Sequence, residues 1–180
     1  MKLSDFDPEI IECARRIKLL VLDVDGVLTD GKLYFTNSGD EIKAFNSLDG
    51  HGIKMLQKSG VTVAIITGRT SHIVEKRAAS LGIQYLIQGR IDKLSALEEL
   101  RQQLPFEYAE IAHMGDDYPD LPIIRNAGLG MTVANGHWAI KEHADWQSQY
   151  VGGDGAVREA CDLIMLAQDT FQIQLDSYLQ

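Results

Sequence analysis

The stretch LLVLDVDGVLTDG, residues 19–31, decides the fold. Its opening apolar run has the composition of a buried β-strand. The run then stops at Asp23-Val24-Asp25-Gly26, with Asp30 a few positions on. Two carboxylates one residue apart at the end of an apolar strand repel each other unless a positive charge lies between them. A helix cap or a solvated turn accounts for one aspartate, but not for a second beside it with glycine following. The pattern points to a metal ion held at the end of a strand. Asp30 reads as a turn residue.

Outward from this stretch, apolar runs bounded by glycine alternate with helix-period segments, the pattern of strands crossing over through helices into one sheet. The expected fold class is α/β, doubly wound, a mostly parallel sheet flanked by helices. Strands are expected at residues 18–23, 61–67, 83–88, 110–114 and 128–133, and helices at 9–16, 52–59, 71–81, 92–103, 120–126 and 156–168. Residues 32–46, KLYFTNSGDEIKAFN, break the alternation. They read as two short strands about the turn TNSGD, a β-hairpin inserted behind the first strand. Residues 169–180, DTFQIQLDSYLQ, form a polar C-terminal tail. With no internal repeat, low-complexity tract or linker, residues 1–180 are expected to form a single domain.

The net charge of -9 and the absence of any basic run argue against nucleic acid as a partner. Acidic residues occupy the start where a signal peptide needs an apolar centre, and no apolar run approaches the length of a membrane span. No membrane association is expected, and the location read from this is cytoplasmic. Cys13 and Cys161 fall in separate helical segments without metal-binding spacing and read as reduced core residues. The five histidines show no ligand spacing, and His113 sits in an apolar strand; all five read as structural or solvated. For Trp138 and Trp146 the sequence leaves open packing on the C-terminal edge or at a subunit interface.

Ligands of open parallel sheets bind beyond the carboxyl ends of the strands. The first strand here ends in the Asp23/Asp25 pair, and the second in Thr67-Gly68-Arg69. The third leads through QGRIDK to Lys93, and the fourth ends in GDDYPD with Asp116, Asp117 and Asp120. Adjacent acids after an apolar strand are what a hard divalent cation requires of its oxygen ligands. Acid, hydroxyl, cation and acid thus converge on one edge.

In that order DVDGVLTD, IITGR, the lysine before the fourth strand and GDDYPD resemble the four motifs of the haloacid dehalogenase superfamily of phosphotransferases. GDEIKAFN, DGHGIK, QGRIDK and GGDGAVREACDLIMLAQ extend the resemblance, to the capless subclass, over nearly the whole chain. The resemblance implies a haloacid dehalogenase-like Rossmannoid fold with no cap domain. It also implies Mg²⁺-dependent hydrolysis of a sugar-acid phosphate of lipopolysaccharide biosynthesis through an aspartyl-phosphate. It makes Asp23 the nucleophile and Asp25 the residue that protonates the leaving oxygen and later takes a proton from water. Mg²⁺ is then held by the Asp23 carboxylate, the Asp25 backbone carbonyl and the Asp116 carboxylate. Thr67 and Lys93 hold the phosphoryl oxygens, and Asp117 supports the metal or Lys93. By the same resemblance the substrate is bound by Asp25, Asn46, Ser47, Leu48, Asp49, Gly50, Lys54, Gly68, Arg69, Arg77, Lys93 and Asp117. In the chain's own departures, Leu48 stands where relatives often carry arginine, and VANG at residues 133–136 replaces VADA.

Without a cap the cleft lies open, so the resemblance implies a homotetramer in which the hairpin and tail of neighbours close it. Arg158 reads either as reaching a neighbour's site or as pairing near Glu159 on its own helix. Competing readings are a phosphatase for another sugar phosphate, the phosphatase-like domain that accompanies sialic-acid activation enzymes, a phospho-receiver domain, and a silent scaffold. A receiver carries its acidic pair after the first strand but its phosphorylated aspartate after a later one. The Asp-x-Asp here follows the first strand and the adjacent acids the fourth, which favours the phosphatase. A scaffold has no need of both Asp23 and Asp25.

Overall fold

Strand β1, Leu19–Leu22, is buried at every residue, and its side chains divide by the period of two. Leu19 and Val21 enter one apolar cluster, Leu20 and Leu22 the other. A strand apolar on both sides must be covered on both sides, which is why the opening run carries no alternation. The structure, a computed structural model, describes residues 1–179; the final residue of the expected tail, Gln180, lies outside them.

Behind β1 stands the hairpin of β2, Tyr34–Phe35, and β3, Glu41–Ile42. The remaining strands are β4, Thr62–Ile66, β5, Tyr85–Ile87, β6, Ile111–Gly115, β7, Leu129–Thr132, and β8, Trp146–Gln147. The main sheet runs β5-β4-β1-β6-β7-β8, and every pair in it is parallel. One face is covered by α1, Pro8–Arg15, α2, Ser47–Lys58, and α3, His72–Leu81, through Ala14, Ile53, Leu56, Val74 and Ala78. The other is covered by α4, Lys93–Gln103, and α5, Leu121–Ile124, through Leu97, Leu100 and Ile123. The short α6, Trp138–Lys141, leads to β8, while α7, Ala156–Ala167, returns to the first face. Helices on both faces with β1 central make the fold doubly wound, as expected.

α2 begins five residues before the expected start. Asn46 Oδ1 accepts from the Leu48 amide at 2.8 Å, a side-chain cap, and the chain is helical from Ser47. Gly50 and Gly52 are part of the contact surface of the helix. A Cβ on Gly52 would lie 2.7 Å from Arg158 Cδ, so α2 seats on α7 only without one. The helix expected at 120–126 is instead a 3-10 turn, Tyr118–Asp120, running into α5, with Pro119 and Pro122 at first-turn positions. β8 and α6 escaped the sequence reading because two and four residues carry no period; Trp146 of β8 packs against Phe6, ring centroids 6.2 Å apart. Within the tail Phe171–Asp176 form α8, and the Tyr178 ring meets His51 edge-on at 5.5 Å. Cys13 and Cys161 are unpaired, and no helix among the described residues is long and apolar enough to cross a membrane.

Candidate active site

The carboxyl end of β1 lies between those of β4 and β6, and the chemistry-bearing residues gather there. The Asp23 amide donates to Met114 O at 3.1 Å, carrying the ladder one residue past β1. The chain then turns sharply, with the amides of Val27, Leu28 and Thr29 all directed at Val24 O. Gly26 makes this possible at φ +96°, and a Cβ there would stand 2.1 Å from Asp116 Oδ2. Only glycine lets the β1 turn and the end of β6 meet.

Lys93 arrives from α4. Asp92 caps that helix by accepting from the Ser95 amide at 3.1 Å, which makes Lys93 its first residue. The Lys93 ammonium is 3% exposed, 2.6 Å from Asp120 Oδ1 and 2.9 Å from Asp23 Oδ1. Burial acts to lower its pKa, but the two carboxylates outweigh burial and raise it. Asp120 is also buried, yet its pKa is lowered because His113 Nε2, at 2.9 Å from Oδ1, and Lys93 overcome the burial. His113 Nδ1 lies 3.1 Å from Val21 O, so the ring is fixed at both nitrogens.

Asp23 and Asp116 have the opposite balance. Burial, then the charge of Asp120, pushes Asp23 up to about 6 despite Lys93. Burial, then the charges of Asp23 and Asp120, pushes Asp116 up to about 7. Asp23, Asp116 and Asp120 each place a carboxylate oxygen within 4.8 Å of the others. Asp120 is already engaged by Lys93 and His113. Asp23 Oδ1 is near Lys93 but off its hydrogen-bonding direction, and this buried oxygen has no hydrogen-bond partner. Two mutually repelling carboxylates, Asp23 buried with an orphaned oxygen and Asp116 half-buried, fit a hard divalent cation.

That fit has a measurable consequence. Both carboxyls hold their protons more tightly in the folded chain than the ordinary value of 3.8 allows, so metal-free stability declines as pH rises from about 4 through about 7. A cation competes with those protons. Adding Mg²⁺ at a hundredfold excess over its dissociation constant should raise the melting temperature by ~5–10 °C at pH 8. At pH 5 the rise should be under about 2 °C. Thermal unfolding with and without Mg²⁺ at the two pH values checks this; an equal shift at both contradicts it.

Asp23, Asp25, Thr67, Arg69, Lys93 and Asp116 line one cleft of about 340 Å³, with Gly68, Asp117 and Asp120 also on its wall. Thr67 is fixed at the end of β4, its amide donating to Ile87 O at 3.0 Å and its carbonyl accepting from Arg90 at 3.1 Å. The other expected substrate residues lie outside this cleft in the single chain. Asn46 is the α2 cap, and Ser47 and Leu48 are exposed on its first turn. Asp49 is buried, its Oδ1 accepting from the Arg158 amide at 2.8 Å, so it caps α7. Arg77 donates to Asn46 O at 3.0 Å and fills the space over Gly50, while Lys54 borders a separate groove with Lys58 and Gly82. Asp117, on the cleft wall, is exposed and accepts from the Tyr118 amide at 2.8 Å, while the ammonium of Lys93 is paired with Asp120 and Asp23. Arg158 pairs along its own helix with Asp162 at 2.9 Å, the second of its two expected readings, while the Glu159 carboxylate takes Ser148 Oγ at 2.6 Å. Asp30 is a turn residue as expected, accepting from the Lys32 amide and from Tyr34 Oη.

Residues 82–159 match the haloacid dehalogenase-like hydrolase family. The chain is 47% identical over 161 residues to the 3-deoxy-D-manno-octulosonate 8-phosphate phosphatase of Salmonella typhimurium, covering 89% of this chain and 86% of that protein. The Moraxella catarrhalis enzyme of that name, in a crystal structure with magnesium ion, phosphate ion and a KDO molecule, superposes with a TM-score of 0.94 at 44% identity, over 96% of this chain and 99% of that one. The Yersinia pestis enzyme superposes with a TM-score of 0.90 at 46% identity, over 92% and 89%.

Proposed function

The chain belongs to the 3-deoxy-D-manno-octulosonate 8-phosphate phosphatases, haloacid dehalogenase-like hydrolases, and from that premise we propose how its cleft performs their reaction. It hydrolyses 3-deoxy-D-manno-octulosonate 8-phosphate to the free sugar acid and phosphate, in lipopolysaccharide biosynthesis, with Mg²⁺ as cofactor. The observation that carries the reading is the buried Asp23 carboxylate facing Asp116 across the end of β1, with Lys93 2.9 Å away.

Phosphate monoesters hydrolyse so slowly that enzymes supply accelerations up to ~10²¹-fold, nearly all by positioning and charge. Asp23 attacks phosphorus: its O–P bond forms as the bond from phosphorus to the sugar oxygen breaks. The electron pair goes to that oxygen, which takes a proton from Asp25. Water then attacks phosphorus, gives a proton to Asp25 and frees Asp23. Lys93 and the Thr67 hydroxyl hold the phosphoryl oxygens through both steps. The Asp23 and Asp116 carboxylates and the Asp25 backbone carbonyl hold Mg²⁺, whose charge offsets the repulsion between carboxylate and phosphate.

The single-domain, cytoplasmic homotetramer is part of the same proposal. Supporting it are Leu33, Phe35 and Ile42, all about half exposed or more on the hairpin beside an uncapped cleft, and the unpaired thiols of Cys13 and Cys161. In that assembly the sugar is recognised where Asn46, Ser47 and Leu48 border a neighbour. Leu48, 58% exposed and offering no charge, favours a second reading with another sugar phosphate as substrate. Phosphate release from a panel of sugar phosphates, with and without Mg²⁺, separates the two. The octulosonate 8-phosphate is expected to lead by about 10²-fold or more in kcat/KM; another sugar leading by that margin would establish the second.

A further inference from the structure

The hairpin strands are largely exposed, yet the residue after β3 turns its charge inward. Lys43 has a side chain only 2% exposed. Its ammonium bonds Asp25 Oδ1 and lies 3.3 Å from Glu41 Oε1. Glu41 is fixed in turn by Arg69 Nη2, donating at 3.1 Å, and by Ser71 Oγ at 2.8 Å. Arg69 Nε is 3.7 Å from Asp25 Oδ2, too far for a hydrogen bond. Two cations and two carboxylates from three segments, the end of β1, the hairpin and the end of β4, thus form one closed set.

A buried ammonium is costly to desolvate and persists only with well-placed partners. Anchoring the hairpin does not require one, since Tyr34 Oη already donates to Asp30 Oδ2 at 2.8 Å. We propose that Lys43 is a positioning residue for Asp25: it holds Oδ1 and leaves Oδ2, which no protein hydrogen bond occupies among the described residues, to give and take the proton. The two working carboxylates then each have their own buried lysine, Lys93 for Asp23 and Lys43 for Asp25. Hairpin placement and proton transfer are thereby the same contact. The assignment rests on Asp25 acting as proton donor, as proposed above.

The test uses leaving groups. A sugar alkoxide needs a proton to depart, whereas p-nitrophenolate leaves without one. Because kcat/KM reports the step in which the ester bond breaks, Lys43→Met should lower it by ~10²-fold on 3-deoxy-D-manno-octulosonate 8-phosphate, or on whichever panel sugar the wild type prefers. On p-nitrophenyl phosphate the fall should stay within about 5-fold. Glu41→Gln leaves the Lys43 contact to Asp25 in place and should keep the ratio between the two substrates at the wild-type value. If Lys43→Met fails to fold, the double variant Lys43→Met/Glu41→Gln, which removes one charge of each sign, carries the same expected split. Equal falls on both substrates mean that Lys43 only docks the hairpin and overturn the proposal, as does no fall on either. A wild type preferring another sugar corrects the substrate alone, and the split still decides on Lys43. A wild type without Mg²⁺-dependent phosphatase activity overturns both.

Discussion

Asp23→Asn should lower kcat by at least about 10⁵-fold while making the metal-free protein more stable. The two effects have one cause. Asparagine keeps the shape of the side chain but cannot attack phosphorus or complete the metal site. The ionised Asp23 that it replaces is buried against the charges of Asp116 and Asp120. Its folded pKa lies above the ordinary carboxylate value, so the stability it contributes is present below about pH 4 and is lost as pH rises through about 6. At pH 8 the full cost is felt, and removing the charge should raise the metal-free melting temperature by roughly 5 °C. Mg²⁺ should then stabilise the variant less than the wild type. Loss of activity together with loss of metal-free stability would mean that Asp23 is held by its neighbours and not strained against them.

Lys93→Met should lose on both counts. The methionine fills the stem's volume, but Asp120 and Asp23 are left facing each other without the ammonium that lies within 3 Å of both. Breaking a buried pair from one side costs about 3–5 kcal/mol, roughly 10 °C of melting temperature in a chain of this size. Activity should fall by about 10³-fold as a charged contact to the phosphoryl oxygens disappears. Adding Asp120→Asn removes the stranded carboxylate, so the double variant should recover most of the stability and none of the activity. Thermal unfolding and steady-state kinetics on the three proteins check this. Parallel recovery of both properties would make Lys93 a structural residue only.

The sheet was legible because its physics is local. An apolar run without alternation means a strand covered on both faces, and β1, β4 and β6 are such runs. The acids and hydroxyl that follow these strands, and the lysine that follows β5, were legible for the same reason, since the parallel topology brings strand ends together whatever the loops do. What the sequence hid depends on partners far along the chain. Asp49 looks like a free acid in an SLDG loop, but the amide it caps belongs to Arg158. Nothing local tells why α2 carries Gly50 and Gly52 until the close approach of Arg77 from α3 and of Arg158 from α7 is known. Asp120 was visible in GDDYPD but had no assigned role, because its partners, Lys93 and His113, come from α4 and β6. Lys43 reads as one more polar residue beside a hairpin strand, and only the fold shows that its charge turns inward to Asp25.

The central claim, that Asp23 carries the phosphoryl group between the two steps, is tested most directly by acid-quenching the wild-type enzyme during turnover of ³²P-labelled substrate with Mg²⁺ and mapping the label by peptide mass spectrometry. The account predicts one acid-stable, hydroxylamine-labile phosphoryl group on the peptide containing Asp23, absent from Asp23→Asn. Label on another residue, or full turnover with no covalent label at any quench time, would contradict it.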